Sequence, residues 1–213
     1  MNLRLAILTL ALASAGFASS IFVSNASFET LPAGGLTLAG YAGGVYSIGP
    51  IPGWVNGGTS GQFQPGGPAG TVPNAYYNTL DTGPTEAYTN GGTISQTVGA
   101  TVQVGVVYTL LVDLGARLDE GFTGVADLLI NGNQYFATGT PILGGFATFT
   151  ATYTGVAADA GDSITIELSD PTFTGQGDFD NVRLSNNLSS VPEPATCLTC
   201  LAGLALAALR LRK

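Results

Sequence analysis

Between Ser19 and Ser190 apolar and polar residues alternate in short runs set off by Gly, Pro and Asn, and no stretch carries the 3.6-residue period of an amphipathic helix. In the run from Val106 to Arg117, Tyr108, Leu110, Val112 and Leu114 share one face, which predicts a strand in the middle of a sheet. Phe146 to Tyr153 alternates Ala147, Phe149, Ala151 and Tyr153 with three threonines, and Ser163 to Ser169 alternates Ile164, Ile166 and Leu168 with Thr165 and Glu167. Val125 to Ile130 and Asn133 to Ala137 flank Asn131-Gly132, a pair that tolerates positive φ and predicts a two-residue hairpin. Shorter strands are predicted at Ile21 to Val23, Ala26 to Glu29, Tyr76 to Tyr77 and Thr93 to Val98, while Leu31 to Gly70 reads as a glycine- and proline-rich loop holding Trp54. About nine or ten such strands predict an all-β, two-sheet antiparallel β-sandwich, with the jelly roll as its wiring. The last strand, Asp178 to Leu184, places Asp180 by its parity with Val182 and Leu184 on the core face. An inward carboxylate needs a partner, here a cation, Arg117 or backbone N–H groups.

The two ends carry a different pattern. Arg4 precedes the apolar run Leu5 to Leu12, and small residues follow as far as Ala18, the arrangement of a secretory signal peptide cut near Ala18 by signal peptidase. Residues 191–213 hold Pro192-Glu193-Pro194, an apolar run from Cys197 to Leu209 broken only by Thr199, and the basic end Arg210-Leu211-Arg212-Lys213. Prolines stop the preceding element, the run can enter a bilayer as a helix, and the cations stay on the cytoplasmic side. This tail resembles the PEP-CTERM sorting signal of Gram-negative bacteria. The resemblance implies an exosortase-type membrane protease as partner, a transient stay in the inner membrane, and a product bound for the cell surface or extracellular matrix. A plain C-terminal anchor is the other reading, and the run is shorter than the ~20 residues a stable span prefers. The expected organisation is a signal peptide over 1–18, a β-sandwich domain over 19–190 and a sorting tail over 191–213.

Removing both ends changes the charge. Of six basic residues Arg4, Arg210, Arg212 and Lys213 leave and Arg117 and Arg183 stay; of 14 acidic residues only Glu193 leaves. The body therefore sets thirteen acids against two bases, a formal charge of −11. A domain so acidic has no basic patch for phosphates, which excludes nucleic acid as a partner, and its carboxylates can hold calcium. There is no histidine, and Cys197, Cys200 and Lys213 fall in the tail, so imidazole, thiolate and Schiff-base chemistry are absent from the body. What remains for catalysis is a carboxylate pair of the glycoside hydrolase kind, Asp119 with Glu120 or Asp178 with Asp180.

Asn25-Ala26-Ser27-Phe28-Glu29 and Asp180-Asn181-Val182-Arg183-Leu184 together resemble the opening and closing strands of galactose-binding-like jelly rolls of carbohydrate-binding modules, matching at Asn25, Phe28, Glu29, Asp180, Asn181 and Val182. The resemblance implies that the two segments lie side by side and that Glu29 and Asp180 are ligands of one structural Ca²⁺; solvent-exposed strand caps are the alternative. Sugar binding requires a flat aromatic against a pyranose face. The available rings are Trp54, Tyr76, Tyr77, Tyr88 and Tyr135, with Trp54, Tyr76, Tyr77 and Arg117 as ligand-binding candidates, although Trp54 can equally plug the sandwich and Arg117 can pair with Asp119 and Glu120. The sequence therefore predicts an exported, non-catalytic surface or matrix protein that associates with extracellular polysaccharide, a carboxylate-pair glycoside hydrolase being the alternative.

Overall fold

A computed structural model describes residues 18–172 and 175–187. Its strands are, in order, β1 (Ala18–Ile21), β2 (Leu38–Ala39), β3 (Val45–Tyr46), β4 (Val55–Gly57), β5 (Ser60–Gln64), β6 (Glu86–Thr89) and β7 (Thr93–Thr101). They continue as β8 (Val107–Ala116), β9 (Val125–Ile130), β10 (Asn133–Phe136), β11 (Gly145–Thr154), β12 (Ser163–Ser169) and β13 (Gly177–Asn187). No α-helix occurs among the described residues, and none of them forms a helix long and apolar enough to cross a membrane. The predicted sorting tail, with Pro192, Glu193 and Pro194, lies outside the described residues, as does the signal segment up to residue 17.

The strands form the two antiparallel sheets of a jelly-roll sandwich, as the alternation predicts. One sheet runs β11-β8-β13-β6-β5-β3-β2, with β1 added beside β13; the other runs β10-β9-β12-β7-β4. Leu110, Val112 and Leu114 from β8, Phe179 and Leu184 from β13, and Phe149 and Ala151 from β11 meet Leu128, Ile130, Ile164, Ile166 and Ile94 of the facing sheet in one core. The Asn131-Gly132 hairpin forms as predicted, with φ of 49° and 76° at the two turn residues.

Three departures from the sequence reading matter for the site. First, Ala26 to Glu29 is a turn and not a strand: Asn25 and Phe28 take φ of 47° and 57°, and the Phe28 N–H donates to Asn25 O at 3.1 Å. Second, a bulge in β13 shifts its register against β8 between Asp180 and Arg183, with Asn181 at φ 49°. The extra residue reverses the parity. Asp180 lies opposite Asp113 on the outer face of the sheet, whereas Val182 and Leu184 remain in the core. Third, β5 and β6, which lie inside the predicted loop and its flank, are buried strands carrying Gln62, Gln64 and Glu86. The two halves of β13 are also paired differently on that side, Gly177 to Phe179 with β6 and Leu184 to Asn187 with β1.

Candidate active site

Directly opposed residues of an antiparallel ladder share a face, so the register places Phe146, Gly115, Asp178, Tyr88 and Gly61 in one row across β11, β8, β13, β6 and β5. The row lies on the face of the eight-stranded sheet that points away from the core. A segment between β5 and β6 folds back over it and brings Tyr76 and Tyr77. Gly115 makes room for this return, because a Cβ there would lie 2.6 Å from the Tyr77 hydroxyl and 3.0 Å from the Phe146 ring. A second, smaller apolar cluster results, in which Phe63, Tyr76, Tyr77 and Tyr88 pack with Tyr46, Leu80 and Phe146.

Beside this cluster is a cavity of about 300 Å³ whose walls include Tyr41, Tyr46, Phe63, Tyr76, Tyr88 and Arg117. The Tyr76 hydroxyl donates to Tyr41 O and the Tyr88 hydroxyl to Ser47 O at 2.9 Å, so the rings are fixed from behind. The guanidinium of Arg117 lies over the Tyr76 ring, 4.6 Å from its centroid. It donates from Nε and Nη2 to the two carboxylate oxygens of Asp119 at 2.9 and 2.7 Å, and Glu120 stands 3.6 Å from Nη2. Burial works against its charge, but the Asp119 hydrogen bonds and the nearby carboxylates outweigh burial, and the guanidinium holds its proton more firmly than usual.

Asp178 is fully buried behind the lining of this cavity. Its Oδ2 accepts the Tyr77 hydroxyl at 2.7 Å, and its Oδ1 accepts the side-chain amide of Gln176, itself a lining residue, at 2.6 Å. Burial pushes its carboxyl up to about 7, against the pull of Arg117 and of the two hydrogen bonds. Glu86, on the same face, is also fully buried; its Oε1 has no partner among the described residues, and burial followed by repulsion from Asp178 and Asp180 pushes it well above the carboxylate range. Burial thus favours the neutral form of Asp178 up to near neutral pH.

One step further along the sheet is a second acidic group. Asp180 accepts backbone N–H groups from Thr82 at 2.9 Å and Asn181 at 2.6 Å, so of the partners that the sequence left open the backbone is in use, and Arg117 is paired with Asp119 instead. Glu29 accepts the Thr85 N–H at 2.9 Å. The two motif segments do lie side by side, since the Val182 N–H donates to Ala26 O at 2.8 Å. Burial is the main reason that the Asp180 carboxyl sits at about 8; the two N–H groups lower it, and Asp81 and Glu29 raise it further. Among the described residues no three carboxylates form a ready-made metal cluster.

Of the sequence candidates, Tyr76, Tyr77 and Arg117 are brought together and Trp54 is not. Trp54 is 7% exposed and packs in the main core with its ring 5.3 Å from that of Phe28, which corrects its assignment as a ligand platform. The glycine-rich stretch around it supplies β4 and β5, and these carry the indole inward. Tyr88 lines the cavity, whereas Tyr135 packs on Tyr153 at 4.7 Å. Sequence reasoning missed Tyr46, Phe63, Glu86 and Gln176. Only the local alternation Glu86-Ala87-Tyr88 could have exposed part of this set, with Ala87 alone turned to the core.

A family model described as HpiC1-like, HpiC1 cyclase, matches residues 19–185. The chain belongs to the HpiC1-like cyclase family. Among solved structures it is similar to the Stig cyclase Fisc from Fischerella sp. TAU in complex with (3Z)-3-(1-methyl-2-pyrrolidinylidene)-3H-indole, at 26% identity and a TM-score of 0.63 over 80% of this chain and 98% of that one. It is similar also to a cyclase from Fischerella sp. TAU in complex with 4-(1H-indol-3-yl)butan-2-one, at 26% identity and a TM-score of 0.61 over 79% and 98% of the two chains. An apo cyclase from Fischerella sp., 23% identical with a TM-score of 0.63 over 80% and 97%, shares the fold. No curated protein matches. Membership of a cyclase family corrects the expectation of a non-catalytic, polysaccharide-associated protein, and with it the glycoside hydrolase alternative. That expectation rested on the missing histidine, cysteine and lysine, and a single carboxyl tuned by burial needs none of them.

Proposed function

We propose that this protein is an enzyme that closes a ring in an unsaturated, indole-like substrate by proton donation from Asp178. The observation that carries the reading is the buried Asp178 carboxyl, held by Tyr77 and by Gln176, the side chain that separates it from a tyrosine-rich cavity. The similarity to cyclases crystallised with indole ligands supports an indole-like occupant. Bound substrate displaces the Gln176 side chain and meets the carboxyl. The Asp178 proton passes to a basic or unsaturated atom of the substrate, and the π electrons of a neighbouring double bond attack the cation to form the new ring bond. Loss of a proton back to the carboxylate restores the enzyme. The product is an isomer of the substrate, so no cofactor is consumed. The faces of Tyr76 and Tyr88 stabilise the transient positive charge. Incubation with a panel of alkenyl indoles is expected to yield a product of unchanged mass with one double bond fewer and one ring more, read by mass spectrometry and NMR. Binding of the indoles without any such product would sink the reading.

We propose further that a hard cation such as Ca²⁺ is held by Glu29 and Asp180, with oxygens recruited from the segments around them. Glu29 and Asp81 both act electrostatically on Asp180, and Gly83 lies directly against the Glu29 carboxylate. The bound ion would neutralise them and tie the 82–85 segment to β13, a structural role apart from the proton donor. Adding calcium to chelator-treated protein is expected to raise the melting temperature by several degrees, as a ligand in large excess over its dissociation constant does. An unchanged melting temperature would remove these residues as ligands.

The two ends act, in this proposal, as addresses for export and sorting. Protein recovered from the producing cell's surface is expected to lack both residues 1–18 and the segment beyond Pro194 by mass; recovery of the intact chain would refute it.

A further inference from the structure

Arg117 is one of two cationic side chains in the sandwich domain, and it is 6% exposed. Its fork is used unevenly. Nε and Nη2 are both taken by Asp119, and Nη1 makes no hydrogen bond among the described residues, yet it is not sealed in: Arg117 lines the cavity. The surroundings hold it in that attitude. The Arg117 and Gly121 backbones exchange hydrogen bonds of 2.8 and 3.0 Å, closing a tight loop that turns Asp119 and Glu120 back onto the guanidinium, while the Tyr76 ring supports it from below. A donor so constrained loses little freedom when an acceptor meets it.

We infer that Arg117 Nη1 selects substrates carrying a neutral carbonyl oxygen, of ketone or amide type, beside the aromatic ring system. This rests on the reading of the cavity as an indole-like site and names the polar group recognised there. A neutral acceptor fits better than a carboxylate for two reasons. The bidentate Asp119 pair already balances the guanidinium charge, and Glu120 adds a further negative charge to the lining. The acidic domain repels another anion. A carbonyl oxygen takes the free N–H without adding charge.

The test is calorimetric titration of the wild-type chain with three probes that share the indole ring: 4-(1H-indol-3-yl)butan-2-one, 3-butylindole, which lacks the oxygen, and indole-3-propionate, which places a carboxylate where the ketone stands. The ketone is expected to bind roughly tenfold to a hundredfold more tightly than 3-butylindole, the range for one hydrogen bond from a charged donor. The ketone is also expected to bind more tightly than the propionate. Arg117→Gln is expected to bind the ketone and 3-butylindole alike. Asp119→Asn leaves the guanidinium in place with its charge unbalanced and is expected to shift preference towards the propionate, which keeps the inference testable if Arg117→Gln fails to fold. Equal wild-type affinity for the ketone and 3-butylindole would overturn the role of Arg117 and leave the aromatic site standing, as would a ketone preference that survives in Arg117→Gln. Failure of all three probes to bind the wild type would sink the indole-site reading and this inference together.

Discussion

Asp178→Asn is expected to lower turnover at least about a hundredfold, the lower end of what a positioned general acid contributes, with little change in substrate affinity. The exchange keeps shape and an acceptor for the Tyr77 hydroxyl while removing the proton that the reaction uses. The pH profile separates chemistry from packing. The carboxyl must be protonated to act, and burial places its titration at about pH 7, so wild-type activity is expected to fall about tenfold per unit as pH rises beyond that value. The asparagine variant is expected to show a flat residual rate. Stability changes in the same direction as pH rises. The folded-state value lies above the ~3.9 of an unfolded aspartate, so the ionised form costs folding free energy above about pH 7, and that cost is absent below about pH 4. The asparagine variant is therefore expected to melt no lower than the wild type at pH 8. An unchanged rate in Asp178→Asn would end its assignment as the acid.

Phe28→Ala is expected to destabilise the fold by about 3–5 kcal/mol, the range for removing a fully buried aromatic side chain, and to lower the melting temperature by roughly 10 °C. Phe28 is fully buried, its ring packs 5.3 Å from that of Trp54, and its carbonyl accepts the Gln62 side-chain amide. Its φ of 57° also means that alanine keeps the left-handed backbone and recovers none of its strain. Trp54→Ala is expected to cost a similar amount, and the double variant less than the sum of the two, because both rings line the same void. Thermal and urea unfolding of the three variants measure this. A loss below about 1 kcal/mol for Phe28→Ala would show that the segment around it closes over the vacancy.

The strands that were legible are those with one apolar and one polar face. β8, β9, β11 and β12 each bury a two-residue period of Leu, Val, Ile or Phe against the facing sheet. β5 and β6 were not, because both of their faces are covered and the side chains that cover them include Gln62, Gln64 and Glu86. A hydropathy pattern cannot register a strand whose buried polar groups find partners far along the chain, as the Gln62 amide nitrogen does in the Phe28 and Thr30 carbonyls. The parity assigned to Asp180 failed for a related reason. One left-handed residue, Asn181, reverses every later position, and asparagine is common enough in loops and turns that its presence alone does not announce a bulge.

Local pattern and composition determined that this chain is an all-β sandwich, that Asn131-Gly132 closes a hairpin, that its domain is acidic, and that no imidazole or thiolate is available in it. These properties depend on each residue and its near neighbours. The tertiary structure decided which groups share the proposed site: Asp178, Tyr77, and Gly115 with Arg117 come from three separate segments and meet only through the register of β8, β13 and β6 and the return of the segment carrying Tyr77. The Asp178 carboxyl is pushed up to about 7 because packing removes water from around it, and that environment is written across distant parts of the chain.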